Sequence, residues 1–342
     1  MVFVRQDEQL RIIGIHLAGT NTKKSAVVRT SVLLSRILSG LPKSNEHHIF
    51  KETISSYFPK LPVEPNETGH QWRNCLSPLF WEAFTPDIGA TSYQDSDKRL
   101  IQSIQDHGGA NIFCIDAPLT LPPCVTCTLI CPGTIDCPTT TVSYMRKEWE
   151  LSKKTFKKVR IPQPYVDRYF ETFARNHFEK NLLSSGLEFE AVLSSGKAPL
   201  TARSIRIARE LQSIYPHALI LETNSQASTI GWGSICGIEN ARFDSYKSIS
   251  LGAKQRHGII KNLEKFRYAV RSAGIHESLL KEIPNDLEVF LAAMSAQSAW
   301  GLLAGLIVIN SEFLTLDVHS PFRGWPCIPK GIITNAGTQI SE

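Results

Sequence analysis

The chain has 342 residues, a length that predicts one large domain with an insertion, or two domains. Its 42% hydrophobic and 20% charged residues exclude a chain that is mainly disordered. The net charge of +5 permits a polyanionic partner without requiring one. The longest apolar run, 299–309, is too short to cross a bilayer, and residues 1–10 lack the apolar stretch of a secretory signal. We therefore expect a cytoplasmic protein without a membrane as partner.

Strands and helices are predicted to alternate along much of the chain, which is typical of an α/β protein. Two apolar runs around a Gly-containing turn predict a β-hairpin, and the Gly pair at 108–109 predicts a passage from helix to strand. Proline-rich stretches predict irregular structure at 57–92 and 118–164. The predicted strands are 11–17, 25–30, 48–54, 111–116 and 218–222, and the predicted helices are 96–106, 165–180, 201–212 and 286–306.

Two polar residues near the ends of apolar strands are candidates for a functional site. His16 lies near the carboxyl end of the first strand, and Asp116 ends a later one. Open α/β sheets place their sites at the carboxyl ends of strands, and a buried acid is costly unless it is paired or bound to metal. The alternatives are a hydrogen-bonded core histidine and an aspartate that caps the next turn.

Half of the eight cysteines fall within 124–137. Thiols stay reduced in the cytoplasm, so a compact group favours a metal over disulfides. Four thiolates can enclose Zn²⁺ tetrahedrally, and compact cysteine runs followed by proline also hold Fe–S clusters. We predict a structural Zn²⁺, with Fe–S as the second choice and with disulfides or thiols without a role as alternatives. The predicted ligands are Cys124, Cys127, Cys131 and Cys137.

A basic run with interleaved aromatic residues follows the cysteines. Its cations can neutralise phosphates, while Trp149 and Phe156 can stack on bases. The alternative is a solvated helix face. We therefore suspect nucleic acid as a partner, and the candidate contacts are Lys153, Lys154, Lys157, Lys158 and Arg160.

An acid, Glu288, stands at the start of the most apolar predicted helix. Asn285 and Glu288 have the spacing of a capping box, in which Asn285 is the N-cap. An acid in this position also suits the helix dipole. Glu288 therefore has a structural explanation as well as a functional one.

Several motifs occur in an order and spacing that resemble a family of predicted nucleases of RNase-H-like fold, some of which also have a Cys-rich insertion. The resemblance implies a mixed five-stranded α/β sheet with flanking helices, and a carboxylate cluster that holds Mg²⁺ or Mn²⁺ for phosphodiester cleavage. It predicts one domain over 1–342, with 118–200 as a Cys-rich and basic insertion. The motifs are GIHLAG at 14–19, IDAPLTLP at 115–122, PYVDR at 164–168, TARSIRIARELQSIYPHA at 201–218 and NDLEVFLAAMSA at 285–296.

Two of the four acids of the family pattern are replaced in this chain. The pattern has Asp at the position of His16 and Glu at the position of Ser213, whereas Asp116 and Glu288 match it. The resemblance thus implies that Asp116 and Glu288 are catalytic and hold the divalent cation. It leaves His16 as a further ligand or as a general acid/base. Glu222 could replace a lost acid if its strand turned it inward.

Three functions are therefore compared. The leading hypothesis is a metal-dependent nuclease, weakened by the two replaced acids. The alternative is an inactive nucleic-acid-binding protein of the same fold, which His16 and Ser213 favour. The third is a nucleotide-binding phosphotransferase of the actin-like ATPase type, because 14–22 resembles a phosphate loop. A convincing second phosphate loop is not found, since GWGSICG at 231–237 has the glycines but no Asp.

Overall fold

A computed structural model shows the strands and helices of an α/β protein. It describes residues 9–17, 25–33, 80–84, 93–155, 160–175, 189–235, 245–248, 252–265, 283–303, 307–308 and 328–329. The strands are β1 (Gln9–His16), β2 (Ala26–Leu33), β3 (Phe80–Phe84), β4 (Ile112–Asp116), β5 (Leu219–Glu222), β6 (Ile307–Val308) and β7 (Ile328–Pro329). The helices are α1 (Tyr93–Asp106), α2 (Thr140–Thr155), α3 (Tyr169–Ala174), α4 (Ala198–Ile214), α5 (Ser225–Ile235), α6 (Gly252–Lys265) and α7 (Leu287–Leu303).

The main sheet is mixed and has the strand order β3-β2-β1-β4-β5. β1, β2 and β3 pair antiparallel, whereas β4 and β5 run parallel to β1. β6 and β7 form a separate antiparallel pair. The parallel half brings the carboxyl ends of β1, β4 and β5 to one edge of the sheet, where His16 and Asp116 are direct partners in the register.

Helices cover both faces of this sheet, because side chains alternate between the faces along each strand. Ile13, Ile15 and Phe113 face the same side and belong to one buried core with residues of α1 and α4. On the other side, α7 contacts β1, β2 and β4 and also packs against α5. The sheet therefore lies between two helical layers.

Helix α7 approaches the sheet most closely at Gly14. A Cβ atom built on Gly14 would lie 2.5 Å from the backbone nitrogen of Ala296, which no real side chain tolerates. All residues from 289 to 299 are buried, which explains why the helix is apolar nearly all round. In the described part of the chain, no helix combines the length and the apolarity needed to cross a bilayer.

The predicted α/β class is confirmed, and most predicted elements appear with shifted ends. The interpretation of 118–164 and 57–92 as irregular was wrong in part, since α2 lies within the first stretch and β3 within the second. Pro138 precedes α2 and Pro162 follows it, so these prolines bound a helix rather than prevent one. The helix predicted over 165–180 is only α3 in the described residues, and the strand predicted over 48–54 lies outside them.

Candidate functional site

His16, Asp116 and Glu288 meet at the carboxyl edge of the parallel strands. β1 ends at His16, β4 ends at Asp116, and Glu288 lies in the first turn of α7. Nδ1 of His16 is 2.5 Å from Oδ2 of Asp116, and Nε2 is 2.8 Å from Oε2 of Glu288. The three side chains are 17%, 12% and 22% exposed, so the group can be reached from solvent. The predicted residues are therefore neighbours, with the imidazole between the two acids.

The two carboxylates hold His16 in its charged form. Burial alone lowers the pKa of His16, but hydrogen bonds and charge from Asp116 and Glu288 outweigh it and raise the pKa to about 9. Burial likewise raises the pKa of Asp116, while the hydrogen bond and charge of His16 and two bonds from Ser225 lower it below its usual range. At neutral pH the centre of the site is therefore an imidazolium.

Asp116 is also bound to the start of α5. The backbone nitrogen of Ser225 donates to Oδ1 at 2.7 Å, and its hydroxyl donates to Oδ2 at 2.5 Å. Asn224 caps the same helix by accepting a bond from Ala227. Ser225 was not among the predicted site residues, although Thr223-Asn224-Ser225 directly after an apolar strand is a signal for a helix start at this edge of the sheet.

The capping-box interpretation of Asn285 and Glu288 was wrong by one residue. Oδ1 of Asp286 accepts the backbone N–H groups of Glu288 at 2.9 Å and of Val289 at 3.2 Å, so Asp286 caps α7. The side chain of Glu288 turns to His16 instead. Capping therefore leaves the carboxylate of Glu288 available to the site.

Glu222 is turned inward, but toward the opposite face of the sheet. It pairs with Ile115 in the register, so its side chain lies on the face opposite to that of Asp116. There it accepts two bonds from Arg168, at 2.6 and 2.7 Å, and one from the backbone of Leu119 at 2.8 Å. Arg168 also pairs with Glu171 in the same buried group. Glu222 thus forms a structural ion pair and does not add a carboxylate to His16 and Asp116.

Ser213 also lies away from the site. It is exposed in the last turn of α4, which leads into the amino end of β5. The site occupies the carboxyl ends of the parallel strands, so an acid at position 213 would stand at the opposite end of the sheet. Of the two positions at which the resemblance predicts a further acid, only that of His16 therefore lies at this site.

The four clustered cysteines are free thiols with unequal exposure. Cys127 and Cys131 are exposed, Cys124 is half-buried and Cys137 is buried. Burial and then the charges of the other three thiols raise the pKa of Cys124, so the four sulfurs are within electrostatic reach of one another. Arg146 fixes the loop by donating to the carbonyls of Thr134 and Ile135. Zn²⁺ or Fe–S in this loop stays a prediction.

The basic run is partly helical and partly outside the described residues. Lys153 and Lys154 are exposed at the end of α2, and the ammonium of Lys153 lies 4.7 Å from the ring centre of Trp149. Arg160 is exposed and donates to Gln163. Lys157 and Lys158 fall between the described segments.

Across the described residues, no group of three or more His, Cys, Asp or Glu side chains is arranged to hold a metal ion. Gly14, the first residue of the predicted phosphate loop, makes room for α7. Residues 18–24, which belong in part to the same predicted loop, lie outside the described segments.

The chain matches no family model, no curated protein and no solved structure. The roles of the site residues therefore rest on their geometry.

Proposed function

We propose that this chain is an RNase-H-like protein that binds nucleic acid and whose site has lost two-metal phosphodiester cleavage. The observation that carries the proposal is the position of His16, whose ring nitrogens lie 2.5 and 2.8 Å from the carboxylates of Asp116 and Glu288. The mixed sheet, antiparallel on one side of β1 and parallel on the other, supports the RNase-H-like part of the proposal. The position of Asp116 and Glu288 at one edge of this sheet supports the same part of the proposal.

The residues present do not fit a pair of Mg²⁺ or Mn²⁺ ions. These cations prefer several oxygen ligands, and the site offers two carboxylates that are already bonded to an imidazolium. Glu222, which ends the neighbouring strand β5, faces the other side of the sheet and is neutralised by Arg168. The positive charge of His16 therefore balances the charge of the two acids, as a bound metal cation would in the family that the chain resembles.

Binding of nucleic acid is supported by the surface of α2. Lys147, Lys153 and Lys154 are exposed on this helix, with Lys147 beside the ring of Tyr144 and Lys153 beside Trp149. Cations next to aromatic rings are the combination that contacts phosphates and stacks on bases. This surface requires no chemistry at His16, so binding can persist without cleavage.

The first experiment measures binding and cleavage of labelled single-stranded and duplex DNA and RNA, with Mg²⁺ or Mn²⁺ present. We expect binding at low salt that weakens steeply as salt rises, because phosphate contacts release counterions. We expect no metal-dependent cleavage. Asp116→Asn and the surface control Asp106→Asn, which changes an exposed acid at the end of α1, should both bind like the wild type.

The second candidate is the metal-dependent nuclease itself. It is favoured by the partial exposure of His16, Asp116 and Glu288 at the sheet edge where α/β proteins place their sites. Cleavage by the wild type that is lost in Asp116→Asn and kept in Asp106→Asn would establish this candidate and refute the first. Absence of binding at low salt would refute both.

A further inference from the structure

The cysteine loop, residues 124–137, exposes apolar side chains that the fold does not bury. Among the described residues, seven of the eight large apolar side chains that are exposed fall between positions 125 and 165. Ile130, on the loop, is 98% exposed, so its side chain contacts almost nothing in the protein. Such a concentration of exposed apolar groups marks a surface for a partner. The seven residues are Val125, Leu129, Ile130, Ile135, Leu151, Ile161 and Tyr165.

Both ends of this loop are hydrogen-bonded to segments that carry exposed cations. At one end, Arg146 of α2 donates to the carbonyls of Ile135 and Cys137, at 2.6 and 2.9 Å. At the other end, the backbone N–H of Cys124 donates to the carbonyl of Pro164 at 3.1 Å. These bonds hold the apolar loop against α2 and against the segment 160–165. The exposed cations of the two segments are Lys147, Lys153, Lys154 and Arg160.

The apolar pair Leu129-Ile130 projects from the loop and does not line a groove. A side chain on the floor of a groove is shielded by the walls, whereas Ile130 is almost fully exposed and Leu129 is 53% exposed. The pair therefore suits a partner with an apolar interior that it can enter and an anionic surface for the cations. Duplex DNA is such a partner, because apolar side chains enter between base pairs from the minor groove while cations contact the phosphates.

The backbone of the loop favours nucleic acid over a bilayer, which also has an apolar interior. Residues 117–139 form neither helix nor strand. Irregular backbone is not tolerated in hydrocarbon, because its N–H and C=O groups lose their hydrogen bonds to water. On DNA these groups stay beside water and phosphate oxygens. The aliphatic pair also favours a duplex over a single strand, since single bases are bound by stacking on aromatic rings.

We propose that Leu129 and Ile130 enter a base-pair step of duplex DNA from the minor groove and kink the duplex, while the cations of α2 and Arg160 contact the phosphates beside it. This inference rests on the proposed binding of nucleic acid, and it names duplex DNA as the preferred partner. Opening a step costs free energy, and the cost is smallest at flexible steps such as TA. The protein should therefore bind most tightly where a duplex contains a TA step.

The test compares the wild type with the double variant Leu129→Ser/Ile130→Ser on end-labelled duplexes of about 25 base pairs, with a central TA step or a stiff A-tract. Energy transfer between the ends measures the bend, and fluorescence anisotropy measures affinity. We expect the wild type to bend the TA duplex by about 20–90° and to bind it more tightly than the A-tract. The double variant should bind the TA duplex about tenfold more weakly, without bending it, because it no longer buries the apolar pair.

Two further measurements separate this effect from a general loss of binding. Affinity for single-stranded DNA should be equal in the wild type and the double variant, because a single strand has no base-pair step to open. The melting temperature of the variant should not fall, since both side chains are exposed. The matched control is Ile214→Ser, which changes an exposed apolar residue at the end of α4 and should bind and bend DNA like the wild type.

Binding of the TA duplex by the wild type without a bend would overturn the inference and leave the proposed function standing. So would a bend that survives in the double variant. Binding to vesicles of phosphatidylserine and phosphatidylcholine that is lost in the double variant, while its binding of DNA is unchanged, would also overturn it and assign the loop to a membrane. Absence of binding to every strand would refute the proposed function and this inference together.

Discussion

At the scale of single residues, His16 puts a positive charge at the centre of the site, between two carboxylates. Its pKa is raised to about 9 by Asp116 and Glu288, whereas an unfolded chain leaves it near 6.5. Below the lower value the imidazole is protonated in both states, and its ion pairs contribute fully to stability. As pH rises from 6.5 through 9 the folded protein must give up this proton, and the contribution is lost.

This linkage predicts that the free energy of unfolding of the wild type falls by about 3 kcal/mol between pH 6.5 and 9, as 1.36 kcal/mol per pKa unit implies. His16→Gln, which cannot be protonated, should be less stable at pH 6.5 and should show a much smaller change over the same range. Denaturant unfolding at several pH values measures both. Other titrating groups are common to the two proteins, so parallel curves would contradict the assignment.

The sequence could predict which residues form the centre of the site, but not how they are bonded. His16 and Asp116 stood out because polar groups end apolar strands, and parallel strands bring such ends together. Ser225 was missed because its role depends on a contact between distant segments, since it lies 109 residues from Asp116 in the chain. The sequence also could not show that Glu222 faces away from the site. That depends on the strand register, because a shift of one residue along a strand moves a side chain to the other face.

At the scale of elements, the position of α7 depends on the absence of a side chain at Gly14. We predict that Gly14→Ala lowers the free energy of unfolding by about 1–3 kcal/mol, the range for overpacking a close contact. The helix must move away from β1, which separates Glu288 from His16 and lowers the pKa of the imidazole from about 9. Chemical denaturation measures the first effect, and the NMR titration of His16 measures the second.

Gly258→Ala in α6 is the control for this substitution. Its added Cβ meets no atom within 4 Å, so a helix-favouring alanine should be neutral or slightly stabilising. Equal behaviour of the two variants would show that α7 does not pack on Gly14 as described. The sequence alone left Gly14 open to a phosphate-loop interpretation, because a glycine signals close approach without naming what approaches.

The pattern of apolar residues in the sequence predicted the long helices better than the short elements. The helices α1, α4 and α7 were expected because their apolar residues recur over several turns. β3 has five residues within a Pro-rich stretch, and α2 begins after a run of cysteines and prolines, so local composition outweighed their weaker periodicity.

At the scale of the whole molecule, positive charge and the candidate site lie on different elements. Lys147, Lys153 and Lys154 are all exposed on α2. Arg146 of the same helix has another role, because its guanidinium donates to the carbonyls of Thr134, Ile135 and Cys137 and holds the cysteine loop to α2. In the proposed function, the cations of α2 therefore attract the nucleic acid, because the site itself contains two carboxylates and one imidazole.

Binding by the cations of α2 predicts how affinity changes when the charge of this helix is removed. Replacing Lys147, Lys153 and Lys154 by Gln should weaken binding of nucleic acid at least tenfold at low salt and reduce the salt slope by about one for each phosphate that the helix no longer neutralises. The control replaces Lys98, Lys254 and Lys261, which are exposed on α1 and α6 and carry the same total charge. Because both triple variants change the net charge by the same amount, attraction by net charge alone would weaken binding equally in the two. A larger decrease in affinity for the α2 variant, measured by fluorescence anisotropy, locates the interface on α2. Equal decreases would mean that no such interface exists.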